Sequence, residues 1–186
     1  MKNKILKYDC LIIGSGLLGS LLAISLIKKQ YKVLVLEKEG LSDGAFSDQR
    51  TLAVNANSRN FLKSIDLWDK LNNEHVDIGQ ISIKTYLNKD ELIFKEQDAM
   101  GSVIFNKELL LIAHKILIKE KSIVDNTFMQ LDQLQSSKNF KIKNKEYVFK
   151  KIVIMGGKQF INQVDTNHFL KGDNIHKAYV GFFNHQ

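Results

Sequence analysis

With 186 residues, 44% hydrophobic and 25% charged, the chain has the size and balance of one globular domain or slightly more, long enough for a real core. Its formal net charge of +7 comes almost wholly from lysine, Arg50 and Arg59 being the two arginines; nucleic-acid readers lean on arginine for bidentate and stacking contacts, so no nucleic-acid partner is expected. A single cysteine, Cys10, excludes an internal disulfide and suits a reducing, cytoplasmic compartment.

The first element is an apolar strand ending in "DCLIIGSGLLGS", residues 9–20. From Cys10 to Ile27 the chain carries no charge, and lysines precede this run, as in a signal peptide or membrane anchor. Asp9 at its edge, three glycines at regular spacing and the absence of a small-residue cleavage site argue against that reading. The glycines follow the Gly-x-Gly-x-x-Gly spacing, and a second apolar strand, "YKVLVLEKE", comes next and leads into Glu37. Strand, glycine turn, helix, strand and acidic residue make up the dinucleotide-binding unit. Gly14 permits the tight turn, Gly16 lets backbone approach a pyrophosphate, and Gly19 lets the helix pack closely on the strand. N–H groups around Leu17 and Leu18, at the helix start, face the phosphates. Glu37 can accept both ribose hydroxyls and would repel a 2′-phosphate. The competing reading is a glycine-rich turn without a ligand.

Further along, residues 55–71 carry helical spacing, with Phe61, Leu62, Ile65, Leu67 and Trp68 on an apolar side and Trp68 as a core anchor. "QISIKTYLNKDELIFK" reads as two strands around an Asn88–Asp90 turn. Asn106 is expected to cap a helix whose stripe is Leu109, Ile112, Ala113, Ile116 and Leu117. "FKIKNKEYVFK" predicts a hairpin turning near Asn144 with a wet lysine face, and "KKIVIM" a further parallel strand. The five histidines have no metal-ligand spacing, so no metal is expected and surface positions are assigned to them.

The segments "DQRTLAVNANSRNFLKSIDLWDKL" (48–71) and "GSVIFNKELLLIAHKIL" (101–117) extend the pattern. With the glycine fingerprint, the Asp48-x-Arg50-x-x-Ala53 segment, Ser58, "LWDKL" and an Asn-led helix after a Gly-x-Val-x-x strand, the chain resembles the FAD-dependent aromatic hydroxylases of ubiquinone biosynthesis, relatives of para-hydroxybenzoate hydroxylase, over their N-terminal half. The resemblance implies an α/β fold: a Rossmann-like FAD/NAD(P)-binding domain with a parallel sheet and β-meander crossover, formed by residues 1–72 and 101–158. A partial antiparallel substrate-domain sheet would take 73–100 and 159–186.

It also implies FAD as cofactor, NAD(P)H as reductant and a phenolic or quinone-precursor substrate. Arg50 would lie along the flavin, with Asn106 near it. Family members carry a second signature, Gly-Ala-Asp-Gly-x-x-Ser-x-x-Arg, where this chain reads "IMGGKQFINQVD". Gly157 matches its glycine, whereas Gly156 stands at the aspartate, Phe160 at the serine, and no arginine follows. Lys107 likewise replaces a usual arginine.

The family continues well past the position of Gln186, so the sequence reads as a truncated, incomplete flavoprotein. The isolated chain is expected not to hydroxylate, to leave a sheet face uncovered, and to associate with a C-terminal half or a second copy. A position peripheral to a membrane is compatible with that substrate class. No side chain is assigned as catalytic acid or base. Two rival readings stand beside the enzyme: a non-catalytic remnant or subunit of a split flavoprotein, and a basic binding module.

Overall fold

The structure, a computed structural model, describes residues 5–38, 40, 50–71, 75–84, 91–95, 99–124, 126–127 and 140–156. The uncharged run divides at its glycines into a strand, β1 (Leu6–Ile13), and a helix, α1 (Leu17–Lys28), followed by β2 (Val33–Leu36). Among the described residues no helix is long and apolar enough to cross a membrane. Next come β3 (Thr51–Asn55), α2 (Ala56–Ser64), a short 3₁₀ helix (Trp68–Leu71), and strands β4 (His75–Ile78), β5 (Gln80–Lys84) and β6 (Glu91–Lys95). The chain then forms β7 (Gly101–Phe105), α3 (Asn106–Lys119), β8 (Ile123–Val124), β9 (Phe140–Ile142) and β10 (Lys145–Ile154).

The main sheet runs β8-β2-β1-β10-β9. β1 pairs parallel with β2 (Cys10 opposite Val33) and with β10 (Leu6 opposite Tyr147), and β8 lies parallel to β2. Every residue of β2 is buried, as a strand covered on both faces requires. Only β9 is antiparallel, joined to β10 by Lys143 and Asn144 at φ 42° and 65°; two such residues form the hairpin turn whose twist matches the flanking strands. The expected hairpin arm and the expected strand "KKIVIM" are one ten-residue strand: β10 pairs with β9 along its first three residues and with β1 along most of its length. Lys150 does not break it, because its ammonium group reaches Asp9 at 2.7 Å.

A second sheet, β3-β7-β4, is antiparallel throughout, and β5 pairs with β6 in a separate hairpin. Helical periodicity over 55–71 gives two pieces. Asn55 caps α2 through its side-chain oxygen, which accepts from the Ser58 N–H at 2.8 Å. The helix stops where Asp66 turns left-handed at φ 56°. Leu62, Ile65, Leu67 and Trp68 are buried as expected, whereas Phe61 is exposed.

One core lies between the sheets. Ile12, Val33 and Val35 contribute from the main sheet, Ala23, Ile24, Leu109, Ala113 and Leu117 from α1 and α3, and Val54 and Ile104 from the second sheet. Alternation sends Leu11, Ile13, Leu34 and Leu36 to the opposite face, where they cluster with Phe140, Ile142 and Tyr147. These residues are 0–6% exposed, so this face is not the uncovered surface the sequence suggested. Exposure is concentrated instead on the β5–β6 hairpin, where Ile83 is 49% and Leu92 57% exposed.

Candidate functional site

At the carboxyl ends of β1 and β2 the chain forms a loop whose three glycines answer to different demands. The Gly14 N–H donates to the Leu36 carbonyl at 2.8 Å, fastening the loop to β2. Gly14 sits at φ +104°, and a Cβ there would lie 2.6 Å from the Met155 carbonyl oxygen. A Cβ on Gly19 would lie 2.1 Å from the Gly14 carbonyl oxygen. The chain's own packing therefore requires glycine at 14 and 19. Gly16 differs: its φ of −56° and ψ of 174° suit any residue, and no described atom lies within 4 Å of the Cβ position. It caps α1 without a side chain, and Leu17 and Leu18 open the helix, Leu18 being 71% exposed. N–H groups of a first helical turn have no intrahelical acceptor and carry the positive end of the helix dipole, which favours an anion.

Between Gly14 and Gly16, Ser15 is only 2% exposed and fully engaged. Its N–H and hydroxyl both donate to Glu37 Oε2, at 2.8 and 2.5 Å. Its carbonyl accepts from Ser20 Oγ and from His114 Nε2, each at 2.8 Å. The Glu37 backbone is fixed beside β8, its N–H donating to Val124 and its carbonyl accepting from Thr127. The acidic residue read from spacing thus lies directly against the glycine loop.

Sequence reasoning missed Ser15, Ser20 and His114. The assignment of histidines to the surface fails at His114, which is 7% exposed within the apolar stripe of α3. The Ser15 carbonyl satisfies Nε2, while Nδ1 is buried with no hydrogen-bond partner among the described residues. A single polar residue interrupting an otherwise apolar helix face was the available signal.

Two further candidates, Arg50 and Asn106, are brought together, the Asn106 N–H donating to the Arg50 carbonyl at 2.9 Å. Arg50 is exposed and Asn106 buried. Asn106 is the first helical residue and not the cap; the cap is Phe105, extended at φ −78° and ψ 126° with no side-chain hydrogen bond. Strand pairing ends with Phe105 opposite Thr51, and the helix begins there, one residue earlier than an Asn106 cap would set it. α3 packs along α1, and its His114, two turns past Asn106, reaches the loop. Gly157 lies outside the described residues, but the chain just before it, Met155 and Gly156, rests against Gly14.

A second polar cluster ties α2 to the smaller sheet. Arg59 Nη2 donates to Asp77 at 3.1 Å and to Ser102 Oγ at 2.5 Å, and Ser102 Oγ donates to Asp77 at 2.6 Å. The Ser102 hydroxyl, followed by the Arg59 charge, holds the Asp77 carboxyl below its usual range. The guanidinium also lies 5.1 Å from the Trp68 ring centre. This cluster fastens elements together. A cleft of about 310 Å³ lined by Tyr8, Tyr31, Lys32 and Lys121 lies at the start of β2, the end of that strand away from the glycine loop.

No protein-family model and no curated protein matches the sequence. Solved structures do match in fold. PqsL of Pseudomonas aeruginosa, a probable FAD-dependent monooxygenase, superposes with a TM-score of 0.59 at 11% identity, over 78% of this chain and 41% of that one. The p-nitrophenol 4-monooxygenase PnpA of Pseudomonas putida DLL-E4 gives 0.60 at 16% identity, over 81% and 41%. The rebeccamycin biosynthetic enzyme RebC with reduced flavin gives 0.59 at 14%, over 86% and 34%. The likeness establishes the α/β fold with its parallel-rich sheet and accompanying antiparallel sheets. The chain spans 34% to 41% of the length of these three enzymes.

Proposed function

We propose that the chain binds FAD through its adenine dinucleotide half at the glycine loop and serves as the cofactor-binding part of an FAD-dependent aromatic monooxygenase. The observation that carries this reading is Gly16. Its neighbours Gly14 and Gly19 are glycine because backbone atoms occupy the Cβ positions, whereas Gly16 is glycine beside open space. A pyrophosphate approaching the start of α1 supplies the missing reason. Glu37, held against the same loop, meets the ribose hydroxyls.

In this reading the N–H groups of Gly16, Leu17 and Leu18 receive the phosphates, with the α1 dipole behind them. The Glu37 carboxylate orients the ribose and repels a 2′-phosphate. Arg50 and Asn106, joined at the start of α3, are the groups on the isoalloxazine side. Bound FAD, reduced by NAD(P)H, supplies the redox and oxygen chemistry. The chain's own contribution is to bind and orient.

The sequence resemblance narrows the substrate class to a polyprenylated phenol of the ubiquinone pathway; its support is the Asp48–Ala53 and Leu67–Leu71 segments. Because hydroxylation requires a phenol held over the flavin and shielded from water, the isolated 186-residue chain binds the cofactor without completing the reaction. The test supplies FAD, NADH or NADPH, oxygen and a polyprenylphenol analogue. Product is then sought by mass spectrometry, with and without a C-terminal complement. Flavin absorbance in the purified protein, with product only when the complement is present, is the expected result. Colourless protein that takes up no flavin counts against the reading.

A further inference from the structure

His114 has no counterpart in the dinucleotide fingerprint, yet it contacts the centre of the loop. Its ring is buried in α3, and Nε2 lies 2.8 Å from the Ser15 carbonyl oxygen, 99 residues away in sequence. A carbonyl oxygen can only accept, so Nε2 carries the proton. From α1 the Ser20 hydroxyl donates to the same oxygen at 2.8 Å. Two helices thus place donors on one carbonyl. The peptide bond is planar and trans, so an oxygen drawn towards α3 and Ser20 turns the Gly16 N–H of the same peptide the opposite way. On the other side of Ser15, the N–H and hydroxyl are held by Glu37. Ser15 is therefore held on both sides, its N–H and hydroxyl by Glu37 and its carbonyl, the oxygen of the Ser15–Gly16 peptide, by His114 and Ser20.

We propose that His114 is a positioning residue for the diphosphate of the dinucleotide. By holding the Ser15 carbonyl it presents the Gly16 N–H to a phosphate oxygen, and through Ser15 it fixes that donor relative to the ribose acceptor Glu37. The proposal rests on the dinucleotide reading of the loop. The ligand class is a nucleoside diphosphate, for which ADP serves as the probe.

The test compares wild type with His114→Leu, which fills similar space without a donor, and His114→Gln, whose amide nitrogen can occupy the place of Nε2. Three readouts are taken: the Gly16 amide resonance without nucleotide, ADP affinity by calorimetry, and the thermal midpoint. His114→Leu should move the Gly16 resonance and weaken ADP about tenfold, the effect of one lost buried hydrogen bond. His114→Gln should restore both. An unmoved Gly16 resonance with unchanged affinity in His114→Leu overturns the proposal. So does equal weakening by Leu and Gln, which would make the histidine a packing residue only. If wild type binds no ADP, the dinucleotide reading fails, and the Gly16 resonance still decides whether His114 orients the peptide. Should His114→Leu not fold, Ser20→Ala removes the second donor and is read in the same way.

Discussion

Replacing the three loop glycines with alanine one at a time separates what the fold needs from what a ligand needs. In Gly19→Ala the new methyl meets the Gly14 carbonyl oxygen at 2.1 Å, and backbone there cannot move aside. Overpacking of this kind costs roughly 1–3 kcal/mol, and alanine's helix propensity returns roughly 0.8–1 kcal/mol. With the clash against backbone taking the upper end of that range, about 2 kcal/mol of net destabilisation remains. For a chain of this size that lowers the melting temperature by roughly 4–8 °C. Gly14→Ala combines a 2.6 Å contact with a φ of +104°, and left-handed strain adds on the order of 1–3 kcal/mol, so it should melt at least as early. Gly16→Ala meets nothing. Its gain of about 0.4–1 kcal/mol from a stiffer unfolded chain offsets the poorer capping by alanine, and its melting temperature should stay within about 2 °C of wild type. Its nucleotide affinity should nevertheless fall by about 10- to 100-fold, the loss of one charge-assisted hydrogen bond to phosphate. Circular dichroism melts and ADP calorimetry on the three variants provide the readings. A Gly16→Ala protein that binds ADP like wild type would refute the ligand explanation of Gly16; one that melts with Gly19→Ala would show that the space beside it is not open.

The remaining expectations concern other groups. Glu37→Lys should remove the preference for ADP over its 2′-phosphorylated analogue in a competition titration, and an unchanged preference would detach Glu37 from the ribose. Asp77 has its carboxyl held below the usual range by Ser102 and Arg59; its stabilising contribution is present above the unfolded-state value and lost as pH falls through the folded one. The melting temperature of wild type should therefore drop more steeply on acidification below about pH 5 than that of Asp77→Asn; parallel curves would dismiss the cluster as a fastening. Ile83 and Leu92 face each other across β5 and β6, about half exposed, and such surface favours association. Sedimentation velocity should show self-association that Ile83→Thr with Leu92→Thr reduces; a wild-type monomer would contradict this.

Local signals made the first 37 residues readable. Strand, glycine spacing, helix and acidic residue all lie within one continuous stretch, and each constraint acts over a few positions. The hairpin turn at Asn144 and the burial of Trp68 were legible for the same reason. What escaped depends on contacts across long separations. His114 meets Ser15 from 99 residues away, and nothing in its own helix announces that partner. The hairpin arm and the strand "KKIVIM" join into β10 through pairing with β1, and the Asp9 carboxylate pairs Lys150 from that neighbouring strand. The boundary of α3 was misplaced by one residue because the helix begins directly where pairing with β3 ends, at Phe105, and not after Asn106. The second cofactor segment from Gly157 onward lies outside the described residues.

Calorimetric titration of the purified chain with ADP and with FAD tests the central claim most directly. The glycine loop and Glu37 supply the adenine-side contacts, while the second signature of the resembled family is altered at Gly156 and Phe160. Both ligands should therefore bind, with dissociation constants on the order of micromolar. Absence of binding heat for both, confirmed by an unmoved melting temperature in their presence, would contradict the account.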